Sequence, residues 1–178
     1  MNKSEKKEKI IILGQSGSGK DYLRKGLSKL GLKYSPKFTT RPRRDFEKQG
    51  EDYDFIDYDL YVELFKNGKI KTHQSFIINQ VNWYYGITKD NWDSNQMFIM
   101  TPHELSQISE EELKGCFVVY LNIDLETRRN RILERNDYND SIERRLTADL
   151  EDFKDFKIYD LCMTDPEFEP EWVYDLMV

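Results

Sequence analysis

The chain has 178 residues, of which 38% are hydrophobic, so it can bury one core, and its length fits a single domain better than two. A formal net charge of −6 argues against nucleic acid or an anionic membrane surface as partners. The apolar run near the N-terminus, residues 10–13, is too short for a signal peptide or a membrane span. We therefore expect a cytoplasmic protein that is a monomer or a weak homodimer.

Short, continuous apolar runs predict the strands of a parallel sheet. The first run, residues 9–13, ends at a glycine and precedes a helical pattern at 21–30. Further buried strands are predicted at 96–101, 116–123 and 158–163. Helices are predicted at 103–114, 125–135 and 142–156. This alternation predicts an α/β fold, a parallel sheet flanked by helices.

Residues 33–90 differ from the rest of the chain. They are rich in Tyr, Phe, Trp, Asp and Arg, with short alternating runs, and they predict a smaller α+β lobe inserted into the core. The expected organisation is one domain, 1–178, with a core at about 8–32 and 91–178. Cys116 and Cys162 stand in apolar runs and are expected to be reduced core residues.

The most informative motif is GQSGSGKD, which joins the first predicted strand to the first predicted helix. Its members are Gly14, Gln15, Ser16, Gly17, Ser18, Gly19, Lys20 and Asp21. In such a loop the backbone N–H groups face phosphate oxygens, the helix dipole adds positive potential, and Lys20 reaches the β and γ phosphates of ATP. The alternative is a glycine turn that binds nothing. The motif favours ATP as a phosphoryl donor.

Asp21 stands where such loops usually have Ser or Thr, whose hydroxyl binds Mg²⁺. A carboxylate suits the first turn of a helix electrostatically. Magnesium takes oxygen ligands and keeps several waters, so we hypothesise that Asp21 meets Mg²⁺ directly or through water.

A second candidate phosphate site lies in FTTRPRRDFEKQGEDYDFID, residues 38–57. Arginine supplies forked donors and tyrosine a hydroxyl, so the side chains of this segment and of a later YG pair suit a second phosphate. The proposed group is Arg41, Arg44, Tyr53 and Tyr85. The alternative is an exposed basic turn whose arginines pair with Asp45 and Glu47.

Together these residues closely resemble the guanylate kinase family, whose acceptor lobe carries TTRxxRxxExxGxDYxF followed by YG. The matching residues are Thr39, Thr40, Arg41, Arg44, Glu47, Gly50, Asp52, Tyr53, Phe55, Tyr85 and Gly86. Arg131, Arg135 and Arg145 fall where the family places the arginines of a mobile lid, here about 128–145, although the connecting loop is one residue short. The alternative is that these three arginines lie on a solvated helix face.

The resemblance implies a P-loop kinase that moves the γ phosphate of ATP onto a nucleoside monophosphate, with Mg²⁺ as cofactor and small-molecule nucleotides as partners. Catalytic roles are implied for Lys20 and the three lid arginines. A related binding module without activity is the alternative from another functional class, but such modules typically lose these basic residues.

The chain departs from the family where guanine is read. The positions that usually carry a carboxylate or hydroxyl hold Thr72, Ile87 and Pro102, so every expected carboxylate is absent. Thr72 remains an acceptor-binding candidate, and His73, Trp83 and Tyr84 are either base contacts or packing residues. GMP or dGMP is the default acceptor, and another or modified deoxynucleoside monophosphate, or a ribose bisphosphate, is the alternative.

Overall fold

The computed structural model describes residues 7–78, 80–134 and 142–178, without the side chains at positions 78, 144 and 145. Its elements in chain order are β1 Lys9–Gly14, α1 Lys20–Lys29, β2 Lys37–Thr39, β3 Tyr53–Phe55, α2 Tyr58–Lys66, β4 Ile70–Ile78, β5 Val81–Thr88, α3 Lys89–Ser94, β6 Met97–Ile99, α4 Pro102–Leu105, α5 Glu110–Lys114, β7 Cys116–Leu121, α6 Leu125–Glu134, α7 Ile142–Asp152, β8 Leu161–Met163 and α8 Pro170–Met177.

The first sheet is parallel throughout, with strand order β6, β1, β7, β8. Its central strand β1 is apolar on both faces because helices cover both. Ile10 and Ile12 pack on one side with Leu23 and Leu27 of α1, whereas Ile11 packs on the other. The predicted α/β fold with a parallel sheet is confirmed.

The second sheet has the order β3, β2, β5, β4 and contains the antiparallel hairpin β4–β5. All four strands, together with α2, come from residues 37–88, within the range expected to form the smaller lobe. Only strands β2 and β3 pair in parallel here. The domain boundaries expected from the sequence remain a prediction.

Several predicted elements are corrected. The single helix expected at 103–114 is wrong: α4 ends at Leu105, and α5 begins after Ser109, which caps it in a reciprocal capping box with Glu112. The last strand is shorter than expected, and α7 ends earlier. Helix α8, which buries Val173 and Met177, was not predicted.

Two further expectations concern cysteines and membranes. Both cysteines are free, Cys116 buried and Cys162 half-buried. Within the described ranges, no helix combines the length and the apolar character needed to cross a bilayer.

Candidate active site

The glycine loop runs from the end of β1 to the start of α1, as the motif predicts. Gly17 and Gly19 have φ values of 78° and 98°, which favour glycine. A Cβ on Gly17 would lie 2.5 Å from the backbone oxygen of Arg128 in α6, so that helix packs directly on the loop. The loop's glycines are therefore required both by backbone conformation and by close packing.

Lys20 folds over its own loop. Its Nζ donates to the carbonyl oxygens of Gly14 at 2.5 Å and Gln15 at 3.0 Å. Asp21, the next residue, has a side chain that is 58% exposed and lies 3.5 Å from Arg24 Nε. The guanidinium of Arg24 in turn lies 4.6 Å from the ring centre of Tyr34, a cation–π contact. Arg24 was not singled out from the sequence.

Glu47 organises the arginine segment. Its carboxylate accepts from the guanidinium of Arg41 at 2.7 and 3.0 Å and from the backbone N–H of Arg44 at 2.8 Å. Burial opposes ionisation of Glu47, but these hydrogen bonds outweigh it and lower its pKa. Arg41 is thus paired as the basic-turn alternative expects, but the pair is almost buried and lies at a cavity wall.

Tyr53 and Tyr85 complete the group, with ring centres 5.9 Å apart. The guanidinium of Arg41 lies 5.5 Å from the Tyr53 ring centre. Burial, and then the neighbouring Tyr85, raise the pKa of Tyr53 to about 12. Its hydroxyl is therefore protonated at neutral pH and can donate to an anionic ligand. We call Arg41, Arg44, Tyr53 and Tyr85 the clamp.

The loop and the clamp face one another across a single cleft of about 360 Å³. Residues of the glycine loop, including Lys20 and Asp21, line it together with Arg44 and Tyr53 of the clamp. Arg24 and Lys37 add positive charge to its wall. The cleft therefore brings basic side chains of the loop and of the clamp to one cavity, and four carboxylates line it as well: Asp21, Glu47, Glu51 and Asp52.

A second cavity of about 310 Å³ adjoins the first, since Ser16, Lys37, Arg44, Glu47 and Tyr53 line both. It is also lined by Arg41 and Tyr85 of the clamp, by Gln74 and Phe76 of β4, by Thr101 and Glu104, and by Ala148, Asp149 and Asp152 of α7. We call this the acceptor cavity, after the role that the sequence predicts for the clamp.

Glu104 is the unexpected residue of the acceptor cavity. It is fully buried, and its Oε2 accepts from Lys37 Nζ at 2.5 Å and from the backbone N–H of Thr101 at 2.9 Å. Among the described residues, no donor reaches Oε1. A buried acceptor without a partner costs about 1–3 kcal/mol. No sequence motif singles out Glu104, although Thr101 and Glu104 have the spacing of a capping box.

The other expected base contacts lie elsewhere. Thr72 is fully buried in β4 and is not among the residues lining either cavity. The rings of Tyr84 and Tyr61 stack at 4.2 Å, and His73 lies between Tyr61 and Phe65. These contacts support packing roles for His73 and Tyr84.

The lid arginines are only partly described. Arg131 lies beside the glycine loop: it donates to the Pro166 carbonyl at 2.9 Å and lies 3.5 Å from the Gly17 and Ser18 carbonyls. It does not line the cleft. Arg135 and the side chain of Arg145 lie outside the described residues, so their expected roles stay predictions.

Two residues that were not singled out from the sequence join α6 and α7 to the loop. Asp149 of α7 accepts from the backbone N–H of Ser16 at 2.7 Å. Arg128 of α6 is buried, donates to the Ile123 carbonyl at 2.9 Å, and lies 3.9 Å from Asp149. Burial lowers the pKa of Arg128, and the Asp149 charge opposes this.

The residues of the cleft fit a magnesium ion that is bound mainly through phosphate. In the described parts of the chain no three His, Cys, Asp or Glu side chains cluster as metal ligands. Mg²⁺ at nucleotide sites uses only one or two carboxylates and completes its shell with phosphate oxygens and water. The exposed carboxylate of Asp21 at the cleft wall meets that need.

Comparison with known proteins supports the same family. No family model matches the chain. A guanylate kinase of Nostoc sp. is 30% identical over 169 residues, covering 90% of this chain and 83% of that protein. A guanylate kinase of Bacillus anthracis is 28% identical over 170 residues, covering 90% and 81%. The crystal structure of guanylate kinase from Anaplasma phagocytophilum shares the fold, with a TM-score of 0.67, 17% identity, and coverage of 97% and 86%. The chain belongs to the guanylate kinase family.

Proposed function

We propose that the protein transfers the γ-phosphoryl group of ATP to the phosphate of a nucleoside monophosphate, with GMP and dGMP as the first acceptors to test. The observation that carries this proposal is that Lys20 and the clamp residues Arg44 and Tyr53 line one cleft. Phosphoryl transfer needs little covalent help from the protein and depends on alignment and charge neutralisation.

The glycine loop is the donor side. Its backbone N–H groups and the N-terminal end of α1 favour the triphosphate, and Lys20 supplies a positive charge to the β and γ phosphates. Lys20 now donates to two loop carbonyls, so nucleotide binding exchanges those bonds for phosphate oxygens. The magnesium ion, which Asp21 would help to hold, would neutralise charge on the β and γ phosphates.

The clamp is the acceptor side. Glu47 fixes Arg41 in a forked pair, and the protonated Tyr53 hydroxyl is a donor for the acceptor phosphate. A general base is not required, because the attacking oxygen belongs to an ionised phosphate. Closure of the lid segment would exclude water and so limit wasteful hydrolysis of ATP.

A binding module without activity is the alternative. Lys20 argues against it, because this lysine lies at the wall of the cleft that Arg44 and Tyr53 of the clamp also line, where it would meet the phosphates of a bound nucleotide. The chain also carries all three lid arginines in its sequence.

The experiment offers the purified protein ATP, Mg²⁺ and each of GMP, dGMP, AMP, CMP, UMP and dTMP, together with ribose phosphates, and follows both ADP and the new diphosphate. Lys20→Ala should reduce kcat by about 10² to 10³, because it removes a charge that acts on the transition state. Lys25→Ala, an exposed lysine of α1, is the control. ADP without a phosphorylated acceptor, or no turnover with any acceptor, would contradict the proposal.

A further inference from the structure

The acceptor cavity has a buried carboxylate with one oxygen still to be paired. Glu104 is 0% exposed and lines the cavity. Lys37 and the backbone N–H of Thr101 both donate to Oε2, while Oε1 receives no hydrogen bond from the described residues. Natural proteins rarely leave a buried carboxylate oxygen unpaired, so this atom points to a ligand that supplies a donor.

Two donors stand beside this acceptor. The Thr101 hydroxyl accepts from the Glu104 backbone N–H at 3.2 Å and donates to Gln74 Oε1 at 2.6 Å. This bond fixes the carbonyl end of the Gln74 amide, and its NH₂ group has no acceptor among the described residues. The Lys37 ammonium has three N–H bonds, of which Glu104 uses one.

We propose that Glu104, Lys37 and Gln74 read the base of the acceptor, and that this base carries a ring N–H beside a carbonyl group. Glu104 Oε1 accepts the ring N–H, and Lys37 and Gln74 donate to the neighbouring carbonyl oxygen. This inference rests on the proposed function, because it places the acceptor phosphate on the clamp in the same cavity. Phe76 supplies an apolar wall for the ring.

The donors and acceptors of the three residues favour a base edge with a ring N–H and a carbonyl group over one with an amino group and a ring nitrogen. Adenine and cytosine present an amino group beside a ring nitrogen, which has one lone pair and takes one donor. A carbonyl oxygen has two lone pairs and can take both Lys37 and Gln74. Guanine, uracil and thymine share an edge with a ring N–H beside a carbonyl group. Glu104, Lys37 and Gln74 therefore select bases with this edge, and the cavity walls decide which ring size fits.

The carboxylate comes from a position that the family motif does not contain. Thr72, Ile87 and Pro102, the aligned positions, are not among the residues lining the cavity. Glu104 is two residues beyond Pro102, at the third position of α4, and the Thr101 cap turns it toward Lys37. Base reading is therefore moved to another element rather than lost.

A purely structural role for Glu104 can be tested with a matched residue. Glu112 is the third residue of α5, closes a capping box with Ser109, and binds Lys71 of β4 at 2.5 Å. Glu104 has the same three features with Thr101 and Lys37. Glu104 lines the acceptor cavity, whereas Glu112 lines neither of the two described cavities, so Glu112→Gln makes the same change to a capping glutamate and its ion pair without touching the acceptor.

Glu104→Gln should place a hydrogen-bond donor where the wild-type side chain has the acceptor Oε1. Lys37 and the Thr101 N–H are both donors and hold the amide oxygen, so the new NH₂ group takes the place of Oε1. Equilibrium binding of GMP, dTMP, AMP and CMP, measured with turnover of the same four, gives the preference for the first two over the last two. We expect at least about a 100-fold preference in the wild-type protein and a loss of at least about tenfold in Glu104→Gln, mainly in the KM of the acceptor. The KM of ATP should not move, and Glu112→Gln should keep the preference.

A substrate change gives the same test without a mutation. GMP methylated at N1 and dTMP methylated at N3 lack the ring N–H, so the wild-type protein should bind them about 100-fold more weakly than their parents. Glu104→Gln should show little of this penalty. The inference is overturned if Glu104→Gln and Glu112→Gln keep the same preference, if the wild-type protein binds AMP or CMP as well as GMP and dTMP, or if methylation has no effect. Selective binding without phosphoryl transfer would instead defeat the proposed function and leave the base-reading inference intact.

Discussion

Glu47 holds two residues of the clamp in place, because its carboxylate accepts hydrogen bonds from the Arg41 guanidinium and from the Arg44 backbone N–H. Glu47→Gln should raise the KM of the acceptor about tenfold with a smaller change in kcat, because a neutral amide cannot hold both the Arg41 fork and the Arg44 N–H with charge-assisted bonds. Steady-state kinetics with the acceptor varied at saturating ATP measures this. Glu63→Gln, on the exposed face of α2, is the control. An unchanged acceptor KM would mean that Glu47 serves only the fold.

Ala substitutions at Gly17 and Gly31 distinguish the cost of backbone strain from the cost of close packing around the added Cβ. Both have positive φ, 78° and 97°, but a Cβ on Gly17 would meet the Arg128 carbonyl at 2.5 Å, whereas nothing lies within 4 Å of one on Gly31. Each Ala substitution should cost about 1–2 kcal/mol of unfolding free energy from the left-handed backbone. Only Gly17→Ala should also weaken ATP binding, by more than about tenfold, since the loop must shift away from α6. Urea unfolding and ATP titration of both variants give the comparison, and equal ATP affinity would contradict the packing argument.

The residues that the sequence revealed are those whose chemistry is encoded locally. The loop glycines, Lys20 and the clamp stand at motif spacings. Gly17, Gly19, Lys20, Arg44 and Tyr53 line the cleft, and Arg41 and Tyr85 line the adjoining acceptor cavity. Glu104 belongs only to a capping-box spacing with Thr101, which predicts a helix start and not a site, and Asp149 belongs to no motif. Glu104 comes close to Lys37 across 67 residues of chain, and Asp149 comes close to Ser16 across 133. A single sequence contains no pattern that pairs residues so far apart.

Helix α7 reaches the glycine loop through Asp149, which occupies the backbone N–H of Ser16. A triphosphate on the loop would compete with this carboxylate and would be repelled by it. Asp149→Asn should therefore lower the Kd of ATP by about three- to tenfold, a change of about 1 kcal/mol, in a calorimetric titration. Glu151→Gln, exposed on the same helix, should leave it unchanged. Weaker ATP binding in Asp149→Asn would show that the carboxylate holds the loop in its binding shape instead.

Among the helices and strands, too, the sequence predicts best those whose pattern is encoded locally. Strands β1 and β7 were predicted closely because a strand covered on both faces is apolar throughout. The sequence predicts one helix at 103–114 because the apolar spacing continues through the break, although the capping box of Ser109 and Glu112 marks the start of a second helix. Helix α8 had a readable signal, Pro170 at its first turn and apolar residues four apart at Val173 and Met177.

The two sheets are joined by a repeated device. Each of the successive helices α4 and α5 places a capping glutamate against a lysine of the second sheet, Lys37 for Glu104 and Lys71 for Glu112. Gln107, between these helices, exchanges hydrogen bonds with the backbone of His73 at 2.8 and 2.9 Å. Residues 101–112 thus connect the second sheet to the first, and one of the two ion pairs also forms a wall of the acceptor cavity.

The Lys71–Glu112 pair should make part of the stability of the whole molecule depend on pH. Hydrogen bonds from Lys71, and then Ser109, lower the pKa of Glu112 to about 2, against about 4.3 for an unperturbed glutamate. A lowered folded-state pKa stabilises the protein above the unfolded value, and this contribution is lost as the pH falls from about 4.3 toward 2. Because the Glu112 side chain is 36% exposed, solvent screening reduces the expected contribution to about 1 kcal/mol.

Urea unfolding of the wild-type protein and Glu112→Gln at pH 7, 5, 4 and 3.5 measures this contribution. The difference in unfolding free energy should be constant from pH 7 to 5 and should shrink at pH 4 and 3.5, where the unfolded chain takes up the proton before the folded protein does. Glu111→Gln, which breaks the exposed pair with Lys114 in the same helix, should change stability little at any of these pH values. A Glu112→Gln difference that persists undiminished at pH 3.5 would contradict this prediction, because it would show that ionisation of Glu112 contributes nothing measurable to stability.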